Sequence, residues 1–139
     1  MLNRLKEKEE KITETLSALV EESAQGTPIL VEGKKDIEAL RALGVEGKIV
    51  SVKTGGKSLL SVVSAIENAK TEKIILLLDF DRRGIQATNR LRSNLQRAGI
   101  KVDLEAWLAL LRSAGKDVKC IEGLNTYLER LRVKIGKRV

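Results

Sequence analysis

Residues 72–84 read EKIILLLDFDRRG: an apolar run, Ile74 to Leu78, goes straight into Asp79, with Asp81 two positions on and Arg82 and Arg83 behind it. Apolar side chains at successive positions, rather than alternating ones, suit a strand covered on both faces. An unpaired carboxylate inside such a layer is costly, so these acids must stand where the strand opens to solvent or meets a cation. The stretch therefore predicts a buried parallel strand with an unusual carboxyl end.

The flanking sequence supplies the rest of the sheet. PILVEG (28–33) reads as a short strand, and KKDIEALRAL (34–43) as a helix through Ile37, Leu40 and Leu43 that Gly44 stops. GKIVSV (47–52) is a second strand, and SLLSVVSAIENA (58–69) a helix through Leu59, Val62, Val63 and Ile66. After the opening stretch, GIQATNRLRSNLQRAG (84–99) is a helix with Leu91, Leu95 and Ala98 on its stripe. IKV (100–102) is a fourth strand, DLEAWLALLRSAG (103–115) a helix N-capped by Asp103, VKCI (118–121) an extended piece, and EGLNTYLERLRV (122–133) a closing helix. Alternating strands and helices place the chain in the α/β class, as an open, mainly parallel four-stranded sheet flanked by helices.

Residues 1–25 form an extra N-terminal amphipathic helix, with Leu5, Ile12, Leu16, Leu19 and Val20 near one face, broken by Gly26 and Pro28. The expected division is this helix, an α/β domain with a C-terminal helical extension over 26–133, and a basic tail over 134–139. The helix either docks on the sheet or pairs two chains; docking is expected, because a domain of this length needs cover on both faces of its sheet.

Lys and Arg number 26 against 19 acids, with no histidine, giving a net charge of +7. Such a chain attracts polyanions, of which nucleic acid is the commonest, although a basic protein without that partner is the other reading. Phe80, Trp107 and Tyr127 are the only aromatics, so the core is aliphatic and there is no platform of rings for stacking bases. Without imidazole, acid–base or metal chemistry falls to carboxylates, lysines or the backbone. A lone Cys120 excludes an internal disulfide and a cysteine zinc site, and reads as a buried, inert thiol. The first sixteen residues are too charged for a signal peptide, and no apolar run approaches the roughly 20 residues of a membrane span, so a cytoplasmic protein with no membrane partner is expected.

Ligands of open parallel sheets bind beyond the carboxyl ends of the strands, where strand order reverses. Strand one ends at Glu32-Gly33, strand two runs into KTGGKS, and strand three ends at Asp79 and Asp81. If strands one and three are neighbours, about 4.8 Å apart, Glu32, Asp79 and Asp81 converge on one crevice. Oxygen donors without His or Cys beside them point to Mg²⁺ or Mn²⁺. The competing reading makes the aspartates helix N-caps or turn formers.

TGGKS fails as a nucleotide-binding P-loop, because the required first glycine falls on Ser51. What remains is a turn with the exposed amides of Gly55 and Gly56 beside Lys53 and Lys57, either a generic phosphate site or a plain strand-to-helix connection. Arg82 and Arg83 either clamp phosphates or balance the acids. Arg83, Arg90 and Arg97 recur every seven residues on one helical face, as a backbone-binding stripe or as a solvated face.

ILVEGKKDIEAL (29–40) followed by LLLDFDRRG (76–84) resembles the Toprim domain, the catalytic module shared by bacterial-type primases, topoisomerases, old-family nucleases and ribosomal-RNA maturation nucleases. Glu32-Gly33 with Asp36 three residues on is similar to the first motif in its primase and maturation-nuclease form; Asp79, Asp81, Arg82 and Gly84 are similar to the second. The remainder, including VKCIEGLNTYLERL (118–131), resembles small stand-alone archaeal-type Toprim proteins. The resemblance implies catalytic roles for Glu32, Asp79 and Asp81: Glu32 as general acid or base on a phosphodiester, and the two aspartates holding Mg²⁺. It also implies that Gly33, ahead of Lys34, gives phosphate room to approach, and that Gly84 permits the turn into the next helix.

Topoisomerase forms carry acids around that glycine, whereas here Arg83 precedes it and Ile85 follows, and there is neither the tyrosine domain of a topoisomerase nor the zinc module of a primase. The expected function is a Mg²⁺-dependent protein acting on RNA or DNA phosphodiesters, nuclease-like. The alternative is a non-catalytic RNA- or DNA-binding module with a protein partner or a second copy of itself. A haloacid-dehalogenase-type phosphohydrolase ranks last, because Arg83 stands where that family has Thr or Val.

Overall fold

The computed structural model describes residues 1–53 and 58–136. Four strands, β1 (Ile29–Val31), β2 (Ile49–Ser51), β3 (Lys73–Leu77) and β4 (Lys101–Asp103), form one parallel sheet in the order β2-β1-β3-β4. Val31 pairs with Ser51 on one side and Leu77 on the other, so the direction of winding reverses between β1 and β3. The carboxyl ends of those two strands border the crevice that this fold class uses for ligands.

Among the described residues six α-helices cover the sheet: α1 (Leu2–Ala24), α2 (Lys34–Ala42), α3 (Leu59–Asn68), α4 (Arg82–Arg97), α5 (Glu105–Ala114) and α6 (Leu124–Lys134). Successive strand residues point to opposite faces, which divides the core in two. Ile29 and Val31 of β1, with Ile75 and Leu77 of β3, pack under α1, α2, α5 and α6. Leu30, Ile74, Leu76 and Leu78 pack under α3 and α4. All eight are at most 2% exposed, and each buried side chain of this kind contributes about 1.5–3 kcal/mol of hydrophobic stabilisation.

The N-terminal helix docks on the sheet. Ile12, Leu16 and Leu19 enter the first of these cores, and at the far end of α1 Ser23 Oγ accepts the Gly47 N–H at 3.0 Å. A Cβ on Gly47 would lie 2.5 Å from the Ser23 carbonyl oxygen, so this approach requires glycine. Arg132 of α6 donates to buried Glu9 of α1 at 3.0 Å and ties the two helices together.

Several boundaries depart from the sequence reading. Helix α4 begins at Arg82, ahead of its first apolar stripe residue, because the Asp81 side chain caps it by accepting the Gly84 N–H at 2.8 Å. Asp103 ends β4 instead of starting α5, yet its Oδ1 takes the Glu105 N–H at 2.9 Å and so serves the helix from one position earlier. Cys120 is extended, but residues 118–121 add no strand: Phe80 N donates to Lys119 O at 2.6 Å, and Ile121–Gly123 turn as a 3-10 helix. Helix α6 takes Lys134 out of the expected tail, and residues 137–139 lie outside the described ones. No helix among the described residues is long and apolar enough to cross a membrane.

Candidate metal and phosphate site

Glu32 follows the last residue of β1, and its backbone is held from the neighbouring strand. The Glu32 carbonyl accepts Lys53 N–H at 3.1 Å and Ser51 O–H at 3.2 Å. That pairing continues the β1–β2 ladder past its last strand residue and brings Lys53 beside the acids. The Glu32 Oε2 atom is buried and has no hydrogen-bond partner among the described residues. A buried carboxylate oxygen without a donor is the kind of group that a cation completes.

Asp79 leaves β3 two residues beyond the Val31–Leu77 pair, on the same crevice. Its carboxyl is pushed up to about 7, first by its own burial and then by the negative charge of Glu32, Asp36 and Asp81, with Lys53 pulling the other way. Those causes place Glu32, Asp36 and Asp81 each within electrostatic reach of Asp79.

The fourth, Asp36, sits in the first turn of α2, and only its place in a motif marked it in the sequence. It is 6% exposed; Oδ2 accepts the Gly33 N–H at 3.1 Å, and Oδ1 accepts the Glu122 N–H at 3.1 Å, 86 positions away. An acid three residues after a helix N-cap is the sequence signal for the first of these bonds. Nothing in the sequence announces the second.

One ligand atom each from Asp36, Asp79 and Cys120 lie within 4.8 Å of one another. Cys120 is thus half-buried against the acids, where the sequence suggested an inert core thiol. Burial, above all, raises its pKa, and Asp36 and Asp79 add to the rise. The carboxylate oxygens outnumber this one sulfur, and they fit a hard divalent cation such as Mg²⁺ or Mn²⁺.

Of the two readings the sequence leaves open for Asp81, the helix cap is formed. Its Oδ1 caps α4 through Gly84 N–H, and its charge still bears on Asp79. Gly84 is required by contact: a Cβ there would stand 2.1 Å from the Asp79 carbonyl oxygen. Gly33 is required for neither φ nor packing, since it is extended and a Cβ would meet only Lys53 Cδ, at 3.9 Å. Its N–H is taken by Asp36, and the absent side chain leaves space beside Glu32.

Lys34, Lys53, Arg82 and Arg83 are exposed around this mouth, Lys34 in the first turn of α2 and the arginines in the first turn of α4. Arg83 and Arg90 line one groove on α4, and Arg97 lies in its last turn, beyond that groove. Gly55, Gly56 and Lys57 lie outside the described residues.

Sequence reasoning also passed over the groups that hold Asp79 in place. Trp107 of α5 donates its indole N–H to the Leu78 carbonyl at 2.9 Å, and Lys119 O receives Phe80 N–H. Asp79 is therefore bracketed by backbone anchors on both sides. An isolated tryptophan in an apolar helix carries no sign of such a role.

Comparison with known proteins agrees with this geometry. The Toprim domain model matches residues 27–120. A UPF0292 protein of Methanosarcina barkeri is 37% identical over 127 residues, which are 91% of this chain and 87% of the relative. A UPF0292 protein of Methanocaldococcus jannaschii is 33% identical, covering 87% of this chain and 92% of the relative. A solved structure of a protein from Aquifex aeolicus superposes with a TM-score of 0.66 at 30% identity, covering 79% of this chain and 94% of that one.

Proposed function

Because the chain belongs to the Toprim domain family, with archaeal UPF0292 proteins among its relatives, we propose that the crevice between β1 and β3 is a Mg²⁺-dependent site acting on nucleic-acid phosphodiesters, most simply as a nuclease. Toprim domains in general act on nucleic acids and hold Mg²⁺ through acidic residues. The observation that carries the reading here is the unpartnered, buried Glu32 Oε2 beside an Asp79 crowded by three other carboxylates.

In this reading Glu32 and Asp79 hold the metal, with Asp81 adding the carboxylate oxygen that does not cap α4. The bound ion supplies charge neutralisation at the phosphate and polarises an oxygen for attack or departure. Every other part is the protein's own. Hydrolysis requires a proton to leave the attacking water and one to reach the departing oxygen, and Glu32 is the group that moves one of them. Gly33 leaves room for the phosphate, while Lys53, Arg82 and Arg83 bind its outer oxygens. Asp36, Trp107 and Lys119 hold this arrangement in place.

A second reading is favoured by one observation: Asp81 is already engaged as the α4 cap. A module that binds RNA or DNA without cutting it needs the basic surface but not a full set of metal oxygens. One experiment separates the two. Mg²⁺ and Mn²⁺ are titrated calorimetrically into the wild type and an Asp79→Asn/Asp81→Asn variant, with single-stranded RNA or DNA present, and the same mixtures are run on a gel. Asparagine still caps a helix, so the double variant keeps its fold. Metal uptake lost in the variant, with cleavage lost in Glu32→Gln at an oligonucleotide affinity unchanged in EDTA, supports the nuclease. Absence of metal uptake by the wild type overturns it and leaves the binding module.

A further inference from the structure

The charge of the molecule is unevenly layered. Helices α3 and α4, which cover one face of the sheet, carry five arginines and a single acid, Glu67, and so hold four of the net seven positive charges. Within α4 there is no acid at all. The opposite layer has its own groove, between α1 and α5, but there Glu14, Glu22, Asp103 and Glu105 outnumber Lys11 and Arg112. A polyanion is drawn to the first face and repelled from the second groove.

On the basic face a groove runs between the start of α3 and the first half of α4. Leu59 and Ala87 give it an apolar lining, with Arg83, Gln86, Asn89 and Arg90 around them. Arg83, Gln86, Ala87 and Arg90 are spaced to share one face of α4. Arg83 and Arg90 stand about 10 Å apart along the helix axis at 1.5 Å per residue. All four polar side chains are exposed, and none makes a side-chain hydrogen bond or ion pair among the described residues. The groove begins two residues after Asp81, at the mouth of the carboxylate crevice.

We propose that this groove is the track for a single-stranded polynucleotide entering or leaving the crevice, with Arg83 and Arg90 on successive stretches of its backbone and Gln86 and Asn89 on its bases. The proposal rests on the reading of the crevice as a phosphodiester site and adds the strandedness and path of the substrate. Two cations alone would suit any polyanion. The amides and the apolar lining stand in a concavity that an unpaired strand can fill with its bases, whereas a duplex shows its base edges only to an element that inserts into one of its own grooves.

The test uses the full chain in EDTA, so that binding is read apart from metal. Fluorescence anisotropy follows a labelled oligonucleotide of mixed sequence, as single-stranded RNA, single-stranded DNA and duplex, across a salt series. The variants are Arg83→Ala/Arg90→Ala, Gln86→Ala/Asn89→Ala and, on the opposite layer, Lys11→Ala/Arg112→Ala; thermal melts establish that each is folded. The arginine pair should weaken single-strand binding about tenfold and reduce the log–log salt slope by about 1.4, two phosphates at about 0.7 each. The amide pair should weaken it several-fold at an unchanged slope, and the opposite-layer pair should leave it alone.

The proposal is overturned if the wild type binds no single strand, if the duplex binds as tightly, if either groove variant binds as the wild type does, or if the opposite-layer pair costs as much as the arginine pair. Competition by polyglutamate as effective as by the oligonucleotide would also overturn it, and would mark the face as a site for acidic protein. Calorimetry with Mg²⁺ on the arginine pair separates this proposal from its premise. Metal uptake with no effect of the groove variants on binding sinks the groove alone; groove effects in a protein that takes no metal sink the catalytic crevice alone.

Discussion

The indole N–H of Trp107 meets the carbonyl of Leu78 at 2.9 Å, and through that bond a helix 29 residues downstream fixes the last backbone group before Asp79. Both partners are buried. Trp107→Phe keeps most of the apolar volume but leaves that carbonyl without its donor. Urea denaturation should show a loss of about 1–3 kcal/mol, the cost of an unsatisfied buried acceptor. Affinity for Mg²⁺ should fall with it, although the Trp107 indole donates to a backbone carbonyl and to none of the acids in the crevice.

Two glycines in the site should respond oppositely to the same added methyl. Gly84→Ala puts a Cβ 2.1 Å from the Asp79 carbonyl oxygen and must push α4 from the strand end, so a loss of about 3 kcal/mol and of Mg²⁺ binding is expected. Gly33→Ala meets nothing closer than 3.9 Å in an extended backbone, and stability should move by no more than about 0.5 kcal/mol. If Gly33 is there to admit phosphate, Gly33→Ala should still weaken oligonucleotide binding in the presence of Mg²⁺. Parallel melts and anisotropy titrations check both.

The raised carboxyl of Asp79 makes the stability of the metal-free protein depend on pH in an unusual direction for an aspartate. The folded state holds this proton up to about 7, whereas the ordinary value is 3.8, so between these limits the folded form binds more protons than the unfolded one. This contribution is fully present below about pH 4, is lost as pH rises through about 7, and is level above that. Urea midpoints of wild type and Asp79→Asn, measured in EDTA across this range, should show the wild type losing stability relative to the variant as pH rises. A constant difference would contradict it.

Metal should reverse that loss. A cation that binds only the folded crevice adds about 2.7 kcal/mol at a hundredfold excess over its Kd. Thermal melts at pH 8 should therefore rise with Mg²⁺, fall back on addition of EDTA, and barely respond in Asp79→Asn/Asp81→Asn. Glu32→Gln should respond only weakly, since it removes the charge of the carboxylate whose buried oxygen lacks a partner.

Much of this architecture was readable because it is encoded locally. The unbroken run Ile74 to Leu78 announced a strand buried on both faces, and both core layers take alternate residues from it. Glu32-Gly33 and Asp79-x-Asp81 were placed on one crevice by the assumption that β1 neighbours β3, which the sheet bears out. The parts that escaped reading depend on distant partners. Asp36 gains its second contact from Glu122, Leu78 from Trp107 and Phe80 from Lys119, and periodicity carries no information about such pairs. Cys120 is legible only in part for the same reason: its raised pKa agrees with an unreactive thiol, but only the fold sets it, half-buried, against two carboxylates. The start of α4 was placed late because its capping aspartate and two arginines carry no apolar stripe.

Asp36 spans 86 positions to reach Glu122, and that span orders events while the chain is being made. Strands β1 and β3, with their acids, leave the ribosome well before the segment that pins them. Closing so long a loop carries an entropic penalty that must be met before the contact gives anything back. A nascent chain halted near residue 100 holds every carboxylate of the crevice and none of the groups that set their positions, the Trp107 indole, the Lys119 carbonyl and the Glu122 N–H. A chain halted there therefore has the carboxylates without the arrangement that the later segment gives them.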